Sequence, residues 1–166
     1  MYQATVTVFN SYEYRTTKQV FWFPHVLTGV NLVTDKGQML RQYGPDSTDA
    51  AELHIAYAEL DGQKIIIDSM TGKPVLNTMG EPLPWMSAKI WEKQVNDMLD
   101  DTITFKPGDF FWWGEWTDGP VSDDDYIAMR YANFYDYMNR NYDYVFNITS
   151  VGGPYTVIPH FEIRGA

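Results

Sequence analysis

The chain contains no cysteine, which excludes a disulfide framework and any thiolate metal site. No stretch approaches the roughly 18 apolar residues that a membrane-spanning helix needs. The N-terminal MYQATVTVFN also lacks the basic and apolar regions of a signal peptide. The expectation is a soluble protein, made in a cytoplasm, with no membrane partner. Basic residues are scarce: 12 Lys and Arg face 22 Asp and Glu, for a net charge of −10. Most faces of such a molecule repel a phosphate backbone, which argues against specific nucleic-acid binding. There is no G-x-S-x-G elbow, P-loop, dinucleotide fingerprint or cysteine nucleophile. No catalytic residue, no cofactor and no metal ligand is assigned from motifs, and an enzyme is not expected.

What is present is apolar and aromatic. The 166 residues are 45% apolar, enough for one domain over residues 1–166 with a core of its own. Aromatic residues reach 16%, and side chains of this kind serve both packing and contact surfaces. ATVTVF at residues 4–9 alternates β-branched residues and predicts an opening strand. The run at 20–33 is interrupted by Pro24 and Gly29 and predicts an edge or bent strand. Residues 37–51, with GPDSTDAA, read as a surface loop. LHIAYAEL, then Asp61-Gly62, then QKIIID predicts a hairpin with Leu53, Ile55 and Tyr57 facing the core.

Residues 69–86 carry three prolines and two glycines, too many for a regular element, yet also Met70, Val75, Leu76, Met79, Leu83, Trp85 and Met86. A long loop so apolar is either inserted into a neighbouring subunit or folded back over its own core. On the first reading Met70, Val75, Leu76, Met79, Trp85 and Met86 are interaction residues, and deleting residues 72–82 spares folding. Ser87 caps a short helix in SAKIWEKQVNDML, with Ile90, Val95, Met98 and Leu99 as its apolar stripe. TITF, a KPGD turn and FFWWGEW predict a tight hairpin-like strand pair. Ser122, followed by three aspartates, starts a longer helix running to about residue 140, with Ile127, Tyr131, Phe134 and Met138 inward. The chain closes on strand, Gly-Gly-Pro turn and strand. The class is α+β, mainly β: an antiparallel β-barrel or sandwich with one short helix, one longer helix and a long extended loop.

Candidate chemistries remain weak at this level. His25, His54 and His160 are far apart, and their spacing favours structural histidines over a metal site. The aspartates at 123–125 lack the alternation and glycine of a calcium loop. Glu115 with Asp118 is a carboxylate pair of the kind a small hydrolase uses, but with 22 acidic residues such pairs arise by chance. Trp112 and Trp116, on one face of an extended strand, suit either a sugar- or protein-binding platform or core packing.

The segment FKPGDFFWWGEW, together with the closing ITSVGGPYTVIPHFEIRG, resembles small head-to-tail connector proteins of tailed bacteriophages and prophages of Gram-positive bacteria. These are often described as minor capsid, neck or head-closure proteins. The resemblance runs loosely from YGPDST to the end of the chain. It implies a β-barrel-like subunit in a homo-oligomeric ring, placed in the virion between portal, adaptor and tail proteins. It also implies a channel through which genomic DNA passes without specific binding, and it places a gating or docking loop at residues 69–86. A head decoration protein is a further possibility within the same class. The helix after Ser122 departs from a minimal connector, so stopper, adaptor and tail-completion positions all stay open.

Overall fold

The computed structural model describes residues 3–34, 50–95 and 98–166. The predicted loop at 37–51 falls mostly outside them. The alternating segments form β1 (Ala4–Glu13), β2 (Val20–Val33), β3 (Ala51–Leu60), β4 (Gln63–Ile67), β5 (Pro84–Trp85), β6 (Phe110–Trp112), β7 (Val121–Ser122), β8 (Val145–Tyr155) and β9 (His160–Gly165). Strand order is β5-β4-β3-β9-β8-β6-β1-β2-β7, and a further β2–β3 pairing joins the two halves. Six strands, β1, β2, β3, β9, β8 and β6, thereby close into an antiparallel barrel. The fold class read from the sequence holds: mainly β, in the barrel form.

Two strands turn the corners. β2 pairs with β1 along most of its length and with β3 only at residues 31–33. β8 pairs with β6 at residues 145–147 and with β9 from Ile148 onward. Gly29 sits where β2 changes partners, beside a register shift and at φ +62. A β-carbon there would fall 1.9 Å from the carboxylate of Asp68, so both backbone and space demand glycine. The bent strand predicted for residues 20–33 is this corner.

Inside the barrel, Val6, Val8, Leu27, Val30, Leu53, Ile55, Tyr57, Phe111, Phe146, Ile148, Phe161 and Ile163 form the main core. The Asp61-Gly62 hairpin forms as predicted: φ is positive at both turn residues, and Leu53, Ile55 and Tyr57 are buried. Phe9, Trp22, Phe110, Phe134, Met138 and Val145 make a second cluster on the opposite face of the same strands. Phe23, Trp91 and Leu99 make a third. A buried polar knot pins residues 104–109 to β1. The carboxylate of Asp109 accepts from Asn10, from the Ser11 backbone and hydroxyl, and from Lys106 Nζ at 2.6 Å. Burial pushes the Asp109 carboxyl up, while Lys106 and the hydroxyl and amide donors pull it down.

Several local expectations are corrected. Residues 102–109 do not form a hairpin with FFWW, because β6 pairs with β1 and β8 instead. The helix expected after Ser87 is two short turns, α1 (Ala88–Trp91) and α2 (Met98–Asp101). Ile90, Val95 and Met98 are exposed, while Trp91 and Leu99 are buried. The helix expected to reach residue 140 is broken into α3 (Asp123–Ala128) and α4 (Phe134–Asn141) by Arg130 at φ +73. Ser122 caps α3 by accepting from the Asp124 N–H, as predicted, and Asn133 caps α4 by accepting from the Asp136 N–H. Ile127 is therefore exposed, while Phe134 and Met138 are buried. In the closing hairpin Gly152 pairs with Glu162 and Tyr155 with His160. Gly153 and Pro154 together oppose Phe161 alone, a bulge with one extra residue in β8, and the turn lies at residues 156–159.

Candidate functional site

Residues 69–86 fold back over their own barrel. Asp68 starts the segment: its Oδ1 accepts from the N–H groups of Met70 and Thr71, and its Oδ2 from the Thr28 hydroxyl. These bonds hold the Asp68 carboxyl below its usual range against the opposing effect of burial. The chain then zips along β4: Val75 N–H donates to Ile66, Ile66 N–H to Leu83, and Leu83 N–H to Val75. Val75 and Leu83 are buried, Trp85 packs on the barrel core, and Met86 packs on the third cluster. Deleting residues 72–82 would remove part of this ladder and core, so such a deletion does not spare folding. Met70, Leu76 and Met79 remain exposed.

One apolar projection was not singled out by the sequence reading. The β8–β9 turn presents Val157 at 98% and Ile158 at 74% exposure. Its base is fixed, because Tyr57 Oη donates to the Tyr155 carbonyl at 2.7 Å and the Tyr57 N–H donates to Pro159. A rigid base with two bare β-branched side chains at the tip is the geometry of an anchor seeking a pocket. The signal available in the sequence was the pair Val157-Ile158 itself, hidden by placing the turn at Gly-Gly-Pro.

Trp112 and Trp116 do not form an open platform. β6 ends at Trp112, and both rings are partly buried against the second cluster. Trp116 Nε1 donates to Gly119, and its ring meets Phe9 and Phe134 edge-on. Glu115 and Asp118 are exposed to solvent on the segment after β6. The aspartates at 123–125 serve the start of α3, and Asp123 Oδ1 also accepts from Trp22 Nε1 and from the Phe134 N–H.

The three histidines separate into two environments. His25 faces inward opposite Val8 and is almost fully buried. Burial lowers its pKa to about 3, and its Nε2 has no hydrogen-bond partner. It lines a cleft of about 250 Å³ with Asn77, Thr78 and Asp100. His54 on β3 and His160 on β9 lie on the outer barrel face, with ring centroids 5.9 Å apart and planes within 2° of parallel. His54 Nε2 is 2.7 Å from Glu52, and His160 Nε2 is 3.0 Å from Glu162. Burial acts to lower the His160 pKa, but the Ile158 carbonyl and Glu162 outweigh it and the net direction is up. No three-histidine site forms. The signal for the pair was E-x-H at 52–54 and H-x-E at 160–162, since alternate strand residues share a face.

Residues 1–166 match a family described as DUF6751, of unknown function. No curated protein and no solved structure matches the chain.

Proposed function

The chain belongs to DUF6751 over its whole length, and we propose that it is a non-enzymatic structural subunit, forming a homo-oligomeric ring in the head-to-tail connector of a tailed-phage virion. One observation carries the assembly part: exposed apolar side chains on a closed barrel, Val157 and Ile158 at the β8–β9 tip and Met70, Leu76 and Met79 in the segment after β4. Side chains of this kind become hot spots when a neighbouring subunit covers them. The virion context rests on the resemblance of FKPGDFFWWGEW and the closing hairpin to connector proteins. The acidic balance, −10 over the chain, supports a role beside DNA that must slide and not stick.

The test compares the chain with two surface variants, Val157→Ser/Ile158→Ser and Met70→Ser/Leu76→Ser/Met79→Ser, all sites that leave the core untouched. Circular dichroism should be unchanged for both. Light scattering at increasing concentration, alone and with the portal, adaptor or tail protein encoded beside it, should show a ring-sized species that at least one variant loses. A chain that stays monomeric with every such partner would sink the proposal. So would rings that both variants form equally well.

A further inference from the structure

The outer face of β3 and β9 carries a second chemistry, independent of assembly. His54 stands opposite Glu162 in the strand register, with His160 two residues before Glu162 on the same face. One ligand atom from each of His54, His160 and Glu162 lies within 4.8 Å of the others. A tetrahedral ion with bonds of about 2.1 Å sets its ligands about 3.4 Å apart. Side-chain rotations closing little more than an ångström therefore complete the set, without moving backbone held by the β3–β9 ladder.

The hydrogen bonds already assign the ring nitrogens. The Ile158 carbonyl can only accept, so His160 Nδ1, 2.6 Å away, carries a proton. That places the lone pair of a neutral His160 on Nε2, where it faces the Glu162 carboxylate at 3.0 Å. Two acceptors at that distance need a cation between them, either a second proton or a metal ion. A Glu52 carboxylate likewise can only accept, so His54 Nε2 donates to it, and in the neutral ring the lone pair is then on Nδ1. A histidine whose second nitrogen is held by a buried carboxylate or a backbone carbonyl is the arrangement that orients metal ligands. Glu52 is 6% exposed at its side chain, whereas His54, His160 and Glu162 are 22%, 20% and 36% exposed. The partner that orients is buried, and the donors that would bind are open to solvent.

We propose that His54, His160 and Glu162 bind one divalent transition-metal ion of the zinc class, with Glu52 and the Ile158 carbonyl orienting the two rings. Two imidazoles and one carboxylate suit zinc, cobalt or nickel and disfavour magnesium or calcium, which take oxygen ligands. A fourth position opens on a cleft of about 580 Å³ lined by Tyr155, Val157, Ile158, His160 and Glu162. Arg164 stands opposite Glu52 in the register. Bound metal ties β3 to β9 directly beneath the Val157-Ile158 tip.

The experiment uses the full chain without a polyhistidine tag, stripped by a chelator. Zinc is titrated against a chromophoric competitor, and cobalt is added separately to read its visible absorption. Saturation at one ion per chain, with a cobalt spectrum of tetrahedral nitrogen and oxygen donors, is expected. Glu52→Gln should weaken zinc about 10–100-fold, the usual effect of losing an orienting partner. His160→Gln and Glu162→Gln should weaken it further, and zinc should raise the melting temperature of the native chain but not of these two. Because His54→Gln leaves Glu52 buried without its ring partner, the His160 and Glu162 variants, which leave that pair intact, decide the matter if that protein fails to fold. No saturable uptake by the native chain, or uptake unchanged in both variants, overturns the proposal. Neither result depends on whether rings form.

Discussion

His25 is the residue whose ionisation most directly opposes the fold. Buried against the barrel interior, with its pKa lowered to about 3 from an ordinary 6.5, it stays neutral in the folded chain. The unfolded chain binds a proton there below pH 6.5, so the folded state loses stability as pH falls from 6.5 toward 3. The slope is about 1.4 kcal/mol per pH unit within that window. Asp68 adds a second, lower step. Its carboxyl is held down by Thr28, Met70 and Thr71, so its contribution is present above its ordinary 3.8 and is lost as pH falls through the folded value. Urea midpoints between pH 7 and 4 should therefore fall steadily for the native chain and much less for His25→Phe. A native midpoint that is flat between pH 6.5 and 4.5 would contradict the buried neutral imidazole.

At the scale of elements, α3 and α4 are separate helices because each has its own cap. Asn133 accepts from the Asp136 N–H, Asp136 reaches back to the Ala132 N–H, and Arg130 takes the left-handed conformation between them. Losing either cap should cost about 1 kcal/mol. Ser122→Ala and Asn133→Ala should lower the denaturation midpoint by comparable amounts, and the double variant should depart from their sum to the extent that Asp123, which accepts from the Phe134 N–H, couples the two helix starts. A continuous helix would leave Asn133→Ala without effect. The break at Arg130 was not read from the sequence, because the apolar spacing of Ile127, Tyr131, Phe134 and Met138 fits one helix as well as two. Asp61-Gly62 was legible because its turn chemistry is local and has one solution. Gly153-Pro154 was not, because the same residues serve a turn or a bulge, and only pairing with β9 chooses between them. The His54, His160 and Glu162 cluster depends on β3 meeting β9, a contact between distant segments that no local pattern announces.

The molecule as a whole is tied from both directions. β1 pairs with β2 and β6, while β9 pairs with β3 and β8, so early and late segments complete the same barrel. The apolar clusters meet across single strands, Val8 pointing into one and Phe9 into another. Such mutual dependence predicts one cooperative transition. Trp85 packs on the main core, while Trp22 and Trp91 lie in the other two clusters. Tryptophan fluorescence and far-ultraviolet circular dichroism should then give coincident urea curves, and a separated fluorescence step would mean that one cluster melts alone.

Barrel closure also decides how copies of this chain can meet. Among the described residues the sheet ends on β5 and β7, two residues each, so its terminal strands are too short to template a second chain. For copies that associate as proposed, the exposed side chains of Val157, Ile158, Met70, Leu76 and Met79 are the apolar contacts available. On the proposed ring assembly, copies would meet through side chains, because the short terminal strands give little purchase to the edge pairing that leads to fibres.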